Sequence, residues 1–544
     1  MSFKDDLLRR GSLPEEMPHA FYSDGIADAF RSAGSNIYFT KKNEITKPAR
    51  FSASKRGLSR RVFSFPHPTV LHDAARFCEM RERDIFGHYA NAVTGLSAPI
   101  RTPNGPRAVS IASPNRMERE RYELLSGYRF IAKTDISRFY PSIYTHSIPW
   151  AFHGKATSKG DRSPNSSLVF FNKLDQIIRN GQDGQTVGIP IGPDASRVIA
   201  EIVSTAIDME FLASPGTTNI ATIRAVDDVW IGADTLSDVE LGLSRYREAI
   251  RAFELDINDA KTQVFNGDFR FSDRWPSEME QQLQQALERP EWQIAQWLRA
   301  FCEWVFREAT TRSDDGIIKY AIRLIDRTHT AAEHWPTINP FLKRCISHYG
   351  HSIDFVVRVL IWRHEVFGDL DDAWQPLLIR LLQAHAELGN DSEISWILYA
   401  CLRFEYPIPE SIYTAVIRNG GALSVVALLN GIEGGIVPVG AFSFAFDRLS
   451  QYDVASNSPD WPIVLEWKSR SWERHAQLEV RGDAFEIVSN ARATIFNADR
   501  LTQVFRDHAP EDDTPVREAI ESRTSIYDEV DGTAAPDDED DLPF

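Results

Sequence analysis

Cysteines are scarce in this sequence, and long apolar runs are missing. The 544 residues include four widely separated cysteines: Cys78, Cys302, Cys345 and Cys401. Few and scattered cysteines argue against a disulfide-stabilised secreted fold and predict a protein of the reducing cytoplasm. The best candidate for a membrane span, residues 422–439, is interrupted by Asn430 and Glu433, so we expect no membrane-spanning segment. The opening residues, MSFKDD, lack the apolar core of a signal peptide.

Basic residues are outnumbered by acidic ones. The chain has 60 Lys and Arg against 77 Asp and Glu, which gives a formal net charge of −17. This deficit argues against tight binding of duplex nucleic acid. Residues 1–62 nevertheless contain twelve basic and seven acidic side chains, whereas residues 506–544 contain three basic and fourteen acidic ones. We therefore expect a basic N-terminal arm that follows phosphates and an acidic tail that repels them.

Three aspartates carry the clearest functional signal. Asp135 ends the stretch FIAKTD, and Asp227 and Asp228 are the acidic pair in AVDDVWI. An Asp-Asp pair alone is typical of a turn or a solvated surface. Nucleotide polymerisation, however, needs two divalent cations a few ångströms apart, and Mg²⁺ prefers carboxylate oxygens. Three aspartates at strand ends therefore predict a two-metal nucleotidyl-transfer site.

Two further blocks accompany the aspartates. Between them lies GIPIGPDASR, residues 188–197, followed by an apolar, helical-looking stretch, residues 198–209. A glycine-proline turn leading into a helix N-terminus is a place where a nucleotide meets backbone N–H groups. After the aspartate pair comes LDINDAKT, residues 255–262. Its Lys261 is expected to bring a cation near a departing pyrophosphate.

These four blocks, in this order, resemble the palm motifs of reverse transcriptases. DISRFYPSIYTH is similar to the first motif, GIPIGPDAS to the second, AVDD to the third and LDINDAKT to the fourth. Together they cover roughly residues 60 to 270, about two-fifths of the chain. The run FYPSIYTH, followed by IPWA and HGK, resembles more narrowly the bacterial abortive-infection reverse transcriptases of the AbiK kind, which are implicated in phage defence.

The resemblance implies an α+β fold, with right-hand fingers and palm of reverse-transcriptase type, then an all-α HEAT-like domain and a disordered acidic tail. It also implies a DNA polymerase that adds dNTPs without a template and starts from a hydroxyl of the protein itself. The single-stranded DNA product would then stay covalently attached. Two Mg²⁺ or Mn²⁺ ions per site and a homo-oligomeric assembly are implied as well.

The catalytic roles of the family fall on matching positions of this chain. The resemblance makes Asp135, Asp227 and the backbone carbonyl of Ile136 the principal metal ligands, with Asp228 assisting. Lys261 would neutralise the pyrophosphate or donate a proton to it. The alternative for Lys261 is a solvated lysine near a strand end.

The substrate roles follow in the same way. Tyr140, five residues after Asp135, would exclude a ribose 2′-hydroxyl and so select dNTPs over rNTPs. Pro190 and Gly192 of the second motif would border the nucleotide. Arg101 and Arg107 precede the palm, where a fingers region grips triphosphate oxygens with bidentate guanidinium groups, and the same holds for Arg116.

Two positions depart from the general reverse-transcriptase pattern. The third motif usually has an aromatic residue two positions before its first aspartate, and here that position is Ala225. Many retroviral members have Gln in the second motif where this chain has Ile191. Smaller, more apolar walls at these points would loosen contacts to a template and primer. We therefore expect untemplated synthesis.

Composition and spacing divide the chain into four segments. We expect a basic arm over residues 1–62, fingers and palm over 63–270, a helical domain over 275–505 and a disordered tail over 509–544. Apolar residues at helical spacing, including Leu298, Phe301 and Val305, predict stacked helical hairpins in the third segment. The tryptophans of that segment are expected to lie in its core rather than to stack on bases.

Protein priming requires a mobile hydroxyl that reaches the metal pair. Tyr22 and Tyr38 in the N-terminal arm are candidates because nearby glycines and polar residues permit movement. A tyrosine of the helical segment or a serine such as Ser12 would serve equally well. The choice stays open at this point.

The last residues predict a separate activity. The chain ends in DDEDDLPF, residues 537–544, which resembles the C-terminal tip of bacterial single-stranded DNA-binding protein. There a terminal Phe enters an apolar pocket and the preceding acids steer binding to basic surfaces. Leu542, Pro543 and Phe544 would then bind DNA-repair proteins that read such tips. A chance apolar ending on an acidic tail is the alternative.

Three functional hypotheses follow. The first is a phage-defence DNA polymerase, untemplated and protein-primed. The second is an RNA-templated reverse transcriptase, which Ala225 and Ile191 disfavour. The third is an interaction protein that captures DNA-repair factors through its C-terminal tip and keeps the polymerase fold as a scaffold.

Overall fold

A computed structural model describes residues 2–500 except 35, 56, 58, 93, 104, 369, 473, 474 and 476. Strands occur in the first 270 residues: β1 Ala49–Ser54, β2 Arg60–Phe65, β3 Ile100–Arg101, β4 Val109–Ser110, β5 Phe130–Asp135, β6 Ala221–Ala225, β7 Asp228–Ala233 and β8 Gln263–Asn266. The helices of the same region are α1 Phe3–Arg10, α2 Asp24–Ser32, α3 Pro68–Met80, α4 Glu82–Tyr89, α5 Pro114–Leu125, α6 Phe139–Ser142, α7 Ser147–His153, α8 Lys155–Gly160, α9 Asn172–Asn180, α10 Asp194–Leu212 and α11 Leu236–Ala252.

The rest of the described chain is helical and contains no strand. Its helices are α12 Trp275–Leu287, α13 Glu291–Arg312, α14 Gly316–Arg327, α15 Thr330–Glu333, α16 Trp335–His348, α17 Ile353–Phe367, α18 Trp374–Leu388, α19 Asp391–Arg403, α20 Glu410–Asn419, α21 Ala422–Asn430, α22 Ala441–Leu449, α23 Trp461–Ser469 and α24 Asp483–Asn490. The described chain thus combines helices and small sheets up to residue 266 with helices alone after it, and the right-hand polymerase and HEAT-like character of the two parts stays a prediction. None of the described helices is long and apolar enough to cross a membrane.

A four-stranded antiparallel sheet forms the centre of the first region. Its strand order is β6-β7-β5-β8. Because side chains alternate between the two faces of a strand, each strand contributes to two apolar layers. Ala132, Val229 and Ile231 belong to the large core, and α11 packs against β5 and β7. The opposite face carries a separate cluster that includes Ile131 and Trp230 and is covered in part by α5.

The N-terminal segment joins the two regions of the protein. Strands β1 and β2 form a hairpin that spans residue 62, the predicted end of the basic arm. The backbone N–H of Ser52 donates to Asp391 at the start of α19 (2.9 Å), and Arg60 pairs with Glu393 (2.7 Å). Earlier in the same segment, the carbonyl of Glu16 accepts from the indole N–H of Trp396 (2.9 Å). The hairpin therefore packs on the helical region.

The helical region buries the apolar stripes that the sequence predicts. In α13 the buried side chains include Leu298, Phe301 and Val305. Six tryptophans of the region are fully buried: Trp362, Trp374, Trp396, Trp461, Trp467 and Trp472. The prediction of core tryptophans is confirmed for these six. Trp292 and Trp297 differ, because 79% and 36% of their surfaces are exposed near the start of α13.

A buried histidine makes the joint between the two regions sensitive to acid. His67 caps α3, accepts from the N–H of Thr69 and lies 3.1 Å from the carbonyl oxygen of Ser456. Its ring stacks on Phe485 with centroids 5.6 Å apart. Burial lowers the pKa of His67 to about 3, so the folded protein keeps the ring neutral at pH values where the unfolded chain protonates it.

We predict that stability falls as the pH drops below about 6.5, by up to about 1.4 kcal/mol per pH unit from this one group. The sign follows because the unfolded state binds the proton and the folded state does not. In His67→Gln the loss between pH 6.5 and pH 5 should shrink by roughly 2 kcal/mol, measured by urea unfolding. His348→Gln, at an exposed position, is the control. An unchanged pH profile in His67→Gln would contradict the assignment.

Candidate active site

The aspartates predicted from sequence lie at adjacent strand ends. Asp135 ends β5 and Asp228 begins β7, and the two residues are direct cross-strand partners. Directly opposed side chains in an antiparallel pair lie on one face, with Cβ atoms about 4.5–5.5 Å apart. Asp227 occupies the turn immediately before β7. The sheet register thus brings three carboxylates from distant parts of the sequence to one sheet edge.

The turn that carries Asp227 has an unusual backbone. Ala225 pairs with Asp228, so Val226 and Asp227 form a two-residue loop between β6 and β7. Val226 has a positive φ of 59°, a conformation that β-branched residues rarely adopt and that costs about 1–3 kcal/mol. The carbonyl of Asp227 accepts from the N–H of Ile136 (2.9 Å). This bond places the peptide of Ile136, a predicted metal ligand, against the turn.

A buried ionic network holds the strained turn, and the sequence analysis missed it. Arg224 of β6 is fully buried and pairs with Glu201 (2.7 Å) and Asp208 (2.8 Å) of α10. Its guanidinium also donates to the hydroxyl of Ser97 (3.0 Å) and to the carbonyl of Val226 (3.2 Å). The Ser97 hydroxyl in turn accepts from the N–H of Val226 (2.8 Å). Both backbone groups of Val226 are therefore bonded to the network.

The loop before β3 completes this support. Its backbone pairs with Arg224: the N–H of Leu96 donates to the Arg224 carbonyl (2.8 Å), and the Arg224 N–H donates to the Thr94 carbonyl (2.9 Å). A Cβ on Gly95 would lie 2.7 Å from the Arg224 guanidinium. Glycine is therefore required here by close approach of a charged side chain.

The carboxylates repel one another, and cations offset part of that repulsion. The pKa of Asp227 is raised by burial and by the nearby carboxylates of Asp228 and Asp135. Burial raises the pKa of Asp228, with Lys133 opposing and Asp135 reinforcing the shift. Lys261 forms an ion pair with Oδ2 of Asp135, and this hydrogen bond raises the pKa of Lys261. The fourth sequence motif is therefore in contact with the first. The action of Lys261 on a pyrophosphate stays a prediction.

The donor set fits divalent cations chemically, although no three carboxylate, imidazole or thiol side chains of the described residues converge as a ready metal cluster. Oδ1 of Asp135 is buried without a hydrogen-bond partner, which is costly for a carboxylate oxygen unless a cation binds it. Lys261 holds the other oxygen. A metal ion would therefore take over part of the position of the lysine ammonium. Asp135, Asp227 and Asp228 with the Ile136 carbonyl remain the predicted ligands.

Tyr140 lies between the aspartates and the second motif. It belongs to α6, and burial raises its pKa to about 12, with Arg197 opposing and Asp227 reinforcing the shift. Its carbonyl accepts from the N–H of Ile189 (2.9 Å). The backbone of Tyr140 is thus held by the loop of the second motif, and its hydroxyl lies near enough to Asp227 for that carboxylate to raise its pKa. Its selection of dNTPs stays a prediction.

The loop of the second motif packs on the N-terminal segment. Gly192 has a φ of 116°, and a Cβ there would lie 2.8 Å from Pro14. Pro190 is buried beside a small apolar cavity that Leu7 also lines. The first N–H of α10, that of Asp194, donates to the carbonyl of Gly11 (2.8 Å). This N–H therefore already has a protein partner, and nucleotide contacts by Pro190 and Gly192 stay predictions.

Two of the three predicted fingers arginines bind buried or partly buried protein groups. Arg107 pairs with the buried Asp194 (2.6 Å) and donates to the carbonyl of Gly192 (3.0 Å). Arg101 pairs with Glu82 (3.0 Å) and Asp6 (3.1 Å). These contacts stabilise the N-terminal segment against the loop of the second motif. Contact of either arginine with a triphosphate stays a prediction.

The priming candidates have other bonding partners. The hydroxyl of Tyr22 bonds to that of Thr494, and Arg500 lies over the ring, 5.0 Å from its centroid. The hydroxyl of Tyr38 donates to the sulfur of Met80 (3.5 Å), and burial raises the pKa of Tyr38. Priming by either tyrosine stays a prediction. Leu542, Pro543 and Phe544 lie outside the described residues.

Comparison with known proteins does not assign a family. No protein-family model matches the chain, and no curated protein matches it in sequence. Among solved structures, it is similar to telomerase from Candida tropicalis in complex with a TWJ fragment of telomeric RNA, at 15% identity and a TM-score of 0.29 over 71% of this chain and 70% of that one. A Candida albicans telomerase complex gives 11% identity and a TM-score of 0.27 over 62% and 64% of the two chains.

A third match is apo telomerase from Candida tropicalis truncated from its C-terminal domain, at 15% identity and a TM-score of 0.27. The match covers 44% of this chain and 54% of that telomerase chain. This protein thus spans less than two thirds of two of the three telomerase chains. TM-scores below 0.3 are too low for these likenesses to bear on the activity of this protein.

We predict that Ser97→Ala loosens the aspartate turn. The substitution removes the acceptor of the Val226 N–H and should cost about 1–3 kcal/mol of stability. Misplacement of Asp227 should lower the turnover of nucleotide addition by about 10- to 100-fold while the dNTP KM changes little. Ser204→Ala is the matched control, because the buried Ser204 hydroxyl of α10 has no partner among the described residues. Equal turnover in the two variants would refute a positioning role for Ser97.

We also predict that Lys261 competes with metal for Asp135. In Lys261→Gln the midpoint of Mn²⁺-dependent thermal stabilisation should move to a concentration up to about fivefold lower, because an ion pair to an exposed lysine contributes at most about 1 kcal/mol. Lys155→Gln, which breaks an ion pair with Glu254, is the control. An unchanged or higher midpoint in Lys261→Gln would count against competition.

Proposed function

We propose that this protein is a nucleotidyl transferase of reverse-transcriptase type that adds dNTPs to a growing DNA strand. The observation that carries the proposal is the pairing of Asp135 with Asp228 across two adjacent strands, with Asp227 in the turn beside them. The raised pKa values of Asp227 and Asp228 support it, because a cation-binding site holds several carboxylates close together. The order of the four sequence motifs supports it further.

Each residue of the site has a role in this proposal. Asp135, Asp227 and Asp228 would hold two Mg²⁺ or Mn²⁺ ions, which when bound acidify the attacking hydroxyl and offset the charge of the leaving pyrophosphate. Tyr140 would border the sugar and exclude a 2′-hydroxyl. Lys261, displaced from Asp135, would donate a proton to the leaving pyrophosphate.

We further propose that synthesis is untemplated, is primed by a hydroxyl of the protein and serves phage defence. The resemblance to abortive-infection reverse transcriptases supports this, as does Ala225 in place of the usual aromatic residue. Ala225 packs into the apolar cluster that contains Trp230, so its side chain offers a template base no aromatic surface. Tyr22 and Tyr38 are the proposed primers in the N-terminal segment, and a homo-oligomer is the proposed assembly.

The test incubates the purified protein with Mg²⁺ or Mn²⁺ and single labelled dNTPs, without added nucleic acid. We expect label that remains on the denatured polypeptide and is released by protease. It should be lost, by at least about 1,000-fold, in Asp227→Asn/Asp228→Asn, because the metal ligands are removed. The matched control is Asp371→Asn/Asp372→Asn, a second adjacent pair, whose Asp371 binds Lys343 in the helical region.

Three other outcomes would revise the proposal. Label that appears with added RNA template and primer alone would indicate conventional reverse transcription. Absence of label under every condition would favour the interaction protein, for which pull-down of DNA-repair proteins by the full chain and not by a Leu542–Phe544 deletion is the readout. Full phage resistance of cells that carry Asp227→Asn/Asp228→Asn would separate polymerisation from defence.

A further inference from the structure

A lysine and a tryptophan lie next to the aspartates on the same face of the sheet. Lys133 of β5 and Trp230 of β7 are cross-strand partners, two residues before Asp135 and two after Asp228. Side chains two residues apart share a face and are displaced by about 7 Å along the strand. Lys133 and Trp230 therefore continue the row of the aspartates toward the middle of the sheet.

A second cation, besides Lys133, contacts Trp230 from the helix that covers this face of the sheet. The guanidinium of Arg121, on α5, lies over the Trp230 ring, 4.3 Å from its centroid, and the ammonium of Lys133 lies 5.6 Å from the same centroid. Such cation–aromatic contacts fix the position of a charge without using its hydrogen-bond donors. Only 3% of the surface of Trp230 is exposed, so a nucleobase cannot stack on the ring. The groups left to meet a ligand are the two cations.

These cations differ from four other cations near the site. Arg101, Arg107 and Arg224 donate to protein carboxylates, and Lys261 donates to Asp135. Within the described residues, neither Lys133 nor Arg121 forms a hydrogen-bonded ion pair, and Nε of Arg121 is buried without a partner. Both interact at longer range with the carboxylate of Asp228. Unpaired donors that lie over a buried ring beside a proposed polymerase centre fit an anionic ligand.

The position of the two cations indicates which anion they fit. Tyr140 and the second motif follow Asp135 in the chain, beyond the end of β5, and form the proposed nucleotide side of the site. Lys133 precedes Asp135 and lies on the other side of the carboxylates. A growing DNA strand whose 3′-hydroxyl reaches the metal ions would extend away from them on the side of Lys133. The phosphodiester nearest its 3′ end would then lie beside Lys133 and Trp230, the side chains that follow the aspartates on this face of the sheet.

We propose that Lys133 and Arg121, held by Trp230, bind a phosphodiester of the growing DNA strand just behind its 3′ end. This proposal rests on the proposed polymerase function and names the side of the site that holds the product. The contact is to the phosphate backbone, so it carries no sequence preference. It would keep a single-stranded product in place without a template.

The experiment measures binding of 5′-fluorescein-labelled decathymidylate to the full-length protein by anisotropy, in EDTA and over a series of NaCl concentrations. Lys133→Gln and Arg121→Gln should each weaken binding about fivefold, a loss of about 1 kcal/mol. Each should also reduce the slope of log affinity against log salt by about 0.7, the value for one phosphate contact to a single strand. Unchanged melting temperatures would show that the variants are folded.

Two matched variants control for the loss of a cation that lies over tryptophan. Lys159→Gln removes an ammonium from above Trp150 in the region before the sheet strands β6 and β7. Arg289→Gln removes a guanidinium from above Trp297 in the helical region. Neither should change the affinity or its salt dependence. Equal effects of control and test variants would overturn the proposal, as would wild-type protein that fails to bind the oligonucleotide.

A kinetic measurement distinguishes binding of the growing DNA strand by these cations from binding of the triphosphate. In the labelling assay, Lys133→Gln and Arg121→Gln should shorten the products and leave the dNTP KM within about twofold of wild type. A raised KM with unchanged oligonucleotide binding would assign the cations to the triphosphate and overturn the proposal. If labelling fails in wild type while both variants still weaken oligonucleotide binding, the binding site survives and the polymerase function fails.

Discussion

The buried guanidinium of Arg224 is the contact on which the candidate site depends. It joins α10, through Glu201 and Asp208, to the β6–β7 turn that presents Asp227. A fully buried arginine is costly unless its donors are paired, and here two carboxylates and a hydroxyl meet them. Since Val226 has a strained backbone, the turn needs bonds from outside the hairpin. The network supplies those bonds, so the geometry of the aspartates is determined by packing behind the sheet.

Positive and negative charges are evenly matched near the aspartates. The chain as a whole is acidic, yet Lys261, Lys133 and Arg121 surround Asp135 and Asp228. Repulsion among the carboxylates raises the pKa of Asp227 and of Asp228, and nearby cations oppose this rise. A protein with a negative net charge can therefore attract an anionic strand to one place, because local charge rather than the net sum acts within a screening length of about 10 Å.

Sequence reasoning grouped the three aspartates into one site and predicted the helical second region, because these follow from motif order and apolar periodicity. The ion pair of Lys261 with Asp135 was not predicted, since Lys261 was expected to act on the pyrophosphate. It missed Arg224, Glu201 and Ser97, since a buried ion pair between distant segments leaves no local pattern. An arginine three residues before Asp227, in an otherwise uncharged strand, was the one available signal. It offered Arg107 as a triphosphate-gripping fingers residue and did not foresee that Arg107 binds the buried Asp194. Partners more than 80 residues apart are visible only once the fold brings them together.

The N-terminal segment belongs to the site as well as to the joint between the two regions. Gly11 and Pro14 contact the loop of the second motif, and that loop holds the carbonyl of Tyr140 through Ile189. The next part of the segment, from Glu16 onward, binds the helical region through Trp396. One continuous stretch thus touches both the proposed nucleotide side and the helices. A hydroxyl carried by this stretch would have to leave those contacts to reach the aspartates, so priming from it requires local opening of the joint rather than movement of a free arm.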